Sequence, residues 1–293
     1  MWRIKWMFLF LCLTLLTAHA GSSSEYPFRV EVKGSGQPVL LIPGLACSGE
    51  VWEQTVQALQ DRYTLHVISL PGFAGQPAMS LKDGYLPVIK RALIRYIKNE
   101  LSAKPILIGH SLGGFLAISV TASVPDRVAK IVVVDAYPFY TAAFNPLATA
   151  ESSRPQAENM QQMILQTPDP VFQKQQQATL KTMISDSNLV KLAVRWSMAS
   201  DRPTIARAMY EIMTTDLRDS VASITCPILV LGSWYGAKDV GITREMVAAN
   251  FQNQFQKAER CTVKIAEKAR HFIMWDEPEW FIDQVQEFLE HGE

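Results

Sequence analysis

Pro105-Ile106-Leu107-Ile108-Gly109-His110-Ser111-Leu112-Gly113-Gly114 is a short apolar run that ends in a glycine-flanked serine and passes into Phe115-Leu116-Ala117-Ile118. The apolar residues read as a buried strand and those beyond Gly114 as a helix, so Ser111 stands at an abrupt strand-to-helix turn. At the tip of such a turn the backbone takes a positive φ. The residues two before and two after must then be small, because strand and helix crowd together there, and Gly109 and Gly113 fill those places. The turn lifts the Ser111 hydroxyl clear of the sheet and aims the first free amides of the helix at the same point, where a developing negative charge is stabilised. A Gly-x-Ser-x-Gly pattern occurs in unrelated loops as well; the strand before it and the helix after it make this one specific.

Around this stretch the 293 residues, 48% hydrophobic with 16 Pro and 15 Gly, suit one large α/β domain carrying an insertion rather than two independent units. Lys and Arg number 28, as do Asp and Glu, with no basic block, which argues against a nucleic-acid partner. Arg3 and Lys5, the uncharged run from Met7 to Thr17 and the small-x-small Ala18-His19-Ala20 read as a secretory signal peptide cut before Gly21. The apolar run is shorter than the roughly 20 residues a spanning helix needs, so export to the periplasm or the exterior, without a stable membrane span, is the expectation.

Export places Cys47, Cys226 and Cys261 in an oxidising compartment. Cys226 precedes the run Ile228 to Leu231, and Cys261 precedes Val263 to Ile265. Both stand where a strand begins, and two outcomes are open: a Cys226–Cys261 disulfide if the strands are neighbours, or three buried thiols.

Taken in order, Phe28 to Val32 alternates like a half-exposed strand, and Val39 to Ile42 is a buried one. The loop Pro43-Gly44-Leu45-Ala46-Cys47-Ser48-Gly49 follows, then a helix from Trp52 to Leu59. Leu65 to Leu70 is a strand closed by Pro71-Gly72-Phe73-Ala74-Gly75; Tyr85 to Leu101 has helical spacing; Ile131 to Asp135 is another buried strand. This alternation predicts a parallel sheet covered on both faces. From Tyr137 to Ser223 no strand run appears, and the amphipathic stretches 158–165, 172–184 and 205–213, rich in Gln and Met, predict a helical cap over residues 137–223, roofing a pocket at the strand ends. The sheet core then comprises residues 21–136 and 224–293, closed by an amphipathic helix from Trp280 to Leu289.

A nucleophilic serine needs a base. Of five histidines, His19 leaves with the signal peptide, His66 lies within a strand, His110 points away from Ser111 across the turn, and His291 is in the terminal tail. His271, on a loop after the last strand, remains. The acid that orients it should stand at a strand end between Ser111 and His271. Asp239, beyond Ile228 to Leu231, is favoured, although its loop is long; Asp135, ending the preceding strand, is the alternative, its competing role that of a capping carboxylate. Backbone amides of Leu45 and Leu112 are the expected oxyanion donors.

Pro43-Gly44-Leu45, Leu70-Pro71-Gly72-Phe73, Gly109-His110-Ser111-Leu112-Gly113, the Asp239 loop and His271-Phe272 together resemble the α/β-hydrolase fold superfamily over almost all of the mature chain. The resemblance implies a mostly parallel eight-stranded sheet with helices on both faces, a cap, and a triad of Ser111, Asp239 and His271. Two departures stand out: Pro43 replaces the His often found before the oxyanion glycine, and the acid loop is long. A serine rather than an aspartate at the elbow argues against the epoxide hydrolases and haloalkane dehalogenases of that fold. No metal cluster or dinucleotide motif appears in the sequence, so no cofactor is expected. The chemistry expected is acyl transfer on a small or medium carboxylic ester. An amidase or peptidase, a carbon-carbon bond hydrolase and an acyltransferase remain possible on the same residues, and a non-catalytic binding module is the alternative of another class.

Overall fold

A computed structural model describes residues 25–292, so the signal-peptide reading of residues 1–20 lies outside the described residues. The strands are β1 (Arg29–Gly34), β2 (Gln37–Ile42), β3 (Tyr63–Ser69), β4 (Ile106–His110), β5 (Lys130–Val134), β6 (Ile228–Gly232) and β7 (Cys261–Ile265). They form one sheet in the order β1-β3-β2-β4-β5-β6-β7. Only β1 runs antiparallel, against β3; every other pairing is parallel. The sheet therefore has seven strands among the described residues, not the expected eight, because a single strand precedes β2 and goes directly to the edge.

The continuous apolar runs are explained by burial on both faces. Leu40, Ile42, Leu107, Ile131 and Val133 enter one core, and their alternating neighbours Val39, Leu41, Ile106, Ile108, Val132 and Val134 enter the other. The helices that cover the sheet are α1 (Glu53–Leu59), α2 (Leu86–Glu100) and α3 (Leu112–Ser123) in the first half, and α8 (Arg244–Gln254), α9 (Ile273–Asp276) and α10 (Pro278–His291) in the last part. α3 is buried from Leu112 through Thr121, as expected of a helix apolar all round.

Between β5 and β6 come α4 (Ala150–Gln166), α5 (Asp169–Met183), α6 (Ser187–Met198) and α7 (Arg202–Thr214). The sequence pattern locates parts of α4, α5 and α7; α6 is additional. These helices are tied to the sheet layer by polar contacts. Glu211 on α7 is buried and accepts hydrogen bonds from the Tyr85 and Leu86 amides, capping the start of α2. Unmatched donors at a helix start are satisfied here by a side chain from a distant segment.

The three cysteines among the described residues, Cys47, Cys226 and Cys261, are free, which corrects the possible Cys226–Cys261 bridge. The strands are parallel neighbours, but Cys261 is in register with Ile228, two residues beyond Cys226. Two residues along a strand and one strand spacing across separate the Cα atoms by about 8 Å, beyond disulfide reach. Burial pushes the Cys226 thiol up to about 11 and the Cys47 and Cys261 thiols up to about 12.

Candidate active site

Four described non-glycine residues have positive φ: Ala46, Ala74, Ser111 and Asp135. Each lies just past the carboxyl end of one of four consecutive parallel strands, β2 to β5. Backbone strain of this kind persists only where the surroundings enforce it, and here it gathers on the edge where ligands meet parallel sheets.

Ser111 has φ 54° and ψ −118° and stands between β4 and α3. Its amide donates to Val134 O at 2.9 Å, which fixes the turn to the neighbouring strand. The glycines are required by contact. A Cβ on Gly109 would lie 2.2 Å from Gly113 O, and one on Gly113 would lie 2.1 Å from Ile42 O. The loop after β2 closes on the serine: a Cβ on Gly44 would lie 3.3 Å from the Cβ of Ser111. Leu45 is the next residue of that loop, and Leu112, the first residue of α3, presents an amide that precedes the helix's own bonding.

His271 is on the loop between β7 and α9. Its Nδ1 lies 2.6 Å from Asp135 Oδ2. Asp135 also accepts from the Ser233 amide through Oδ1 at 2.7 Å and from the Ser233 hydroxyl through Oδ2 at 2.8 Å. Its own amide donates to Leu231 O at 2.7 Å, so the carboxylate is fixed from both ends. A carboxylate only accepts, which places the proton on His271 Nδ1 and leaves Nε2 with its lone pair. The side chains are 23% and 12% exposed, sheltered enough for the pairing to orient the ring.

Asp239 is not at this site. It belongs to a 3-10 turn over Tyr235–Val240, in an exposed stretch, and the carboxylate that meets His271 is that of Asp135. The correction has a geometric cause: β5 and β6 end side by side, Val134 paired with Leu231. Asp135 is thus level with Gly232, within reach of the next residue, Ser233, whereas the turn carries Asp239 away. Ser233 was not anticipated; laying the two strand ends in register would have found it.

The other described histidines have other partners. His66 is buried in β3 with Nδ1 2.8 Å from the Tyr96 hydroxyl, and His291 is exposed beside Glu290. His110 is buried, with Nε2 3.0 Å from the carbonyl oxygen of His271. The His271 loop is also held from the inserted helices. Phe272 N donates to Met183 O, Arg270 donates to Lys181 O and Ile184 O, and Asp276 accepts from Arg270 N and from Ser185. No cluster of His, Cys, Asp and Glu suited to a metal occurs among the described residues.

A mostly parallel sheet, helices on both faces and a strained serine between strand and helix define the α/β-hydrolase fold. Residues 39–284 match the Alpha/beta hydrolase family, and the chain belongs to it. Among curated relatives, the pimeloyl-acyl-carrier-protein methyl ester esterase of Vibrio cholerae is 28% identical over 267 residues, covering 88% of this chain and 96% of that one. The enzyme of the same name from Pectobacterium carotovorum is 25% identical over 269 residues, covering 89% and 97%. Among solved structures, a hydrolase from Pseudomonas aeruginosa superposes with a TM-score of 0.74 at 16% identity, over 92% of this chain and 96% of that one. An esterase from Thermogutta terrifontis gives 0.70 at 18%, over 90% and 93%. At these identities the structures share the fold.

Proposed function

We propose that this chain is an exported serine hydrolase that cleaves small or medium carboxylic esters through an acyl-enzyme intermediate. The observation that carries the reading is the 2.6 Å pairing of His271 Nδ1 with Asp135, on the same sheet edge as the strained Ser111. Ser111 Oγ attacks the ester carbonyl and passes its proton to His271 Nε2. His271 returns the proton to the departing alcohol, then draws one from the water that releases the acid. Asp135, held by Ser233, keeps the imidazole in the required tautomer and stabilises its charged form. The amides of Leu45 and Leu112 hold the oxyanion. The helices α4 to α7 act as the cap that sets the acyl size. The methyl ester esterases among the curated relatives support an ester substrate over an amide, and the signal-peptide reading of residues 1–20 supports export.

The test is labelling with a fluorophosphonate probe beside a panel of p-nitrophenyl esters of increasing chain length and matched anilides. Wild-type protein labels and hydrolyses esters above anilides, and Ser111→Ala does neither. An unlabelled wild-type protein would sink the proposal.

A further inference from the structure

His110 is the residue of the elbow that the reaction leaves unused, and its surroundings are informative. The ring is 1% exposed. It packs on His271 with ring centroids 4.6 Å apart and on Phe272 at 4.7 Å. A carbonyl oxygen can only accept, so the contact to His271 O at 3.0 Å requires the hydrogen on Nε2. Burial, and next the neighbouring His271, hold the His110 pKa well below its ordinary value. The ring is therefore neutral and Nδ1 is bare. That Nδ1 is buried without a hydrogen-bond partner, against Gly44, where a Cβ would stand 3.0 Å away. A phenylalanine would fill the same space without burying an unsatisfied nitrogen. What the imidazole adds is one N–H, spent on the backbone of His271.

We propose that His110 is a positioning residue for His271, setting the height of the base above the nucleophile through the Nε2–H to carbonyl hydrogen bond. The inference rests on the catalytic roles given above to Ser111 and His271. Its physical content is that the nucleophile and the donor that fixes the base are consecutive residues at the end of one buried strand. Asp135 fixes the rotation of the His271 ring from the side; His110 fixes the main chain that carries it. Movement of the His271 loop then cannot change the distance from base to nucleophile without breaking that hydrogen bond.

The experiment compares His110→Gln, whose amide nitrogen lies as many bonds from Cα as Nε2, with His110→Asn, one methylene shorter, and His110→Phe, which keeps the ring and loses the donor. Measured are kcat and KM on p-nitrophenyl acetate and the rate of fluorophosphonate labelling at Ser111, with thermal unfolding as a check of folding. The Gln variant is expected within a few-fold of wild type. The Asn and Phe variants are expected to lose between about tenfold and 10²-fold in kcat and in labelling rate, with KM unchanged within about twofold, as a misplacement of an ångström in a reacting group would give. Should His110→Phe fail to fold, the Gln and Asn pair carries the test. Equal activities of Gln and Asn, or a Phe variant with wild-type kcat, would overturn the proposal. A wild-type protein that does not label would instead overturn the assignment of Ser111.

Discussion

Two loops past neighbouring strands carry the aspartates that the sequence sets in competition for His271, and they differ in how little chain separates the carboxylate from its strand. Asp135 is the first residue past β5; its backbone is strained at φ 48° and its carboxylate receives two hydrogen bonds from Ser233. Asp239 lies seven residues beyond the last residue of β6 at position 232, on a 3-10 turn where Lys238 sits over the Tyr235 ring. An orienting acid must be held more firmly than the ring it orients. A residue joined directly to a buried strand meets that demand, and a residue at the far side of an exposed turn does not. β6 still contributes, but by lending Ser233 to the acid of β5.

This contrast sets the order of expected effects. Asp135→Asn removes the acceptor that selects the His271 tautomer, and kcat/KM on p-nitrophenyl esters should fall by about 10⁴-fold while the circular dichroism spectrum is retained. Ser233→Ala deletes one of the two hydrogen bonds from that residue and leaves the amide, so a loss of about tenfold in kcat is expected. Asp239→Asn should stay within about twofold of wild type, as a surface change away from the reacting groups does. A reversal of the first and last results in steady-state kinetics would return the role to Asp239.

Much of the fold can be read in the sequence because the elbow permits so few residues. Gly109 and Gly113 are demanded by backbone oxygens scarcely more than 2 Å from where a Cβ would stand, and such a constraint shows through any sequence. The parallel strands are legible for a similar reason, burial on both faces making them continuously apolar. His271 follows by elimination, since His19 falls in the signal-peptide stretch, His66 within a strand, His110 beside Ser111 facing away across the turn, and His291 in the terminal tail. The acid is harder. Chain order admits both Asp135 and Asp239 and favours Asp239; Asp135 emerges as the partner only when β5 and β6 are laid side by side. The cysteines are a second case: neighbouring strands are predictable, but an offset of two residues in their register is set by packing. α6 escapes notice because its pattern resumes only four residues after α5 ends, with no strong breaker between.

The two enclosed imidazoles also bear on how the protein responds to acid. Burial lowers the pKa of His66 and, more strongly, of His110, whereas both take up protons freely once the chain unfolds. Below the ordinary histidine value of about 6.5 the unfolded chain binds protons that the folded one refuses. Stability is then complete above that value and drains away as the pH falls through it, by up to about 1.4 kcal/mol per pH unit for each histidine. Urea midpoints should decline between pH 7.5 and 5.5, before the carboxylates begin to titrate, and the decline should be shallower in His110→Gln. A flat profile over that interval would mean that both rings accept protons without unfolding. The same seclusion that keeps His110 neutral beside Ser111 thus makes the folded chain less stable in acid than at neutral pH.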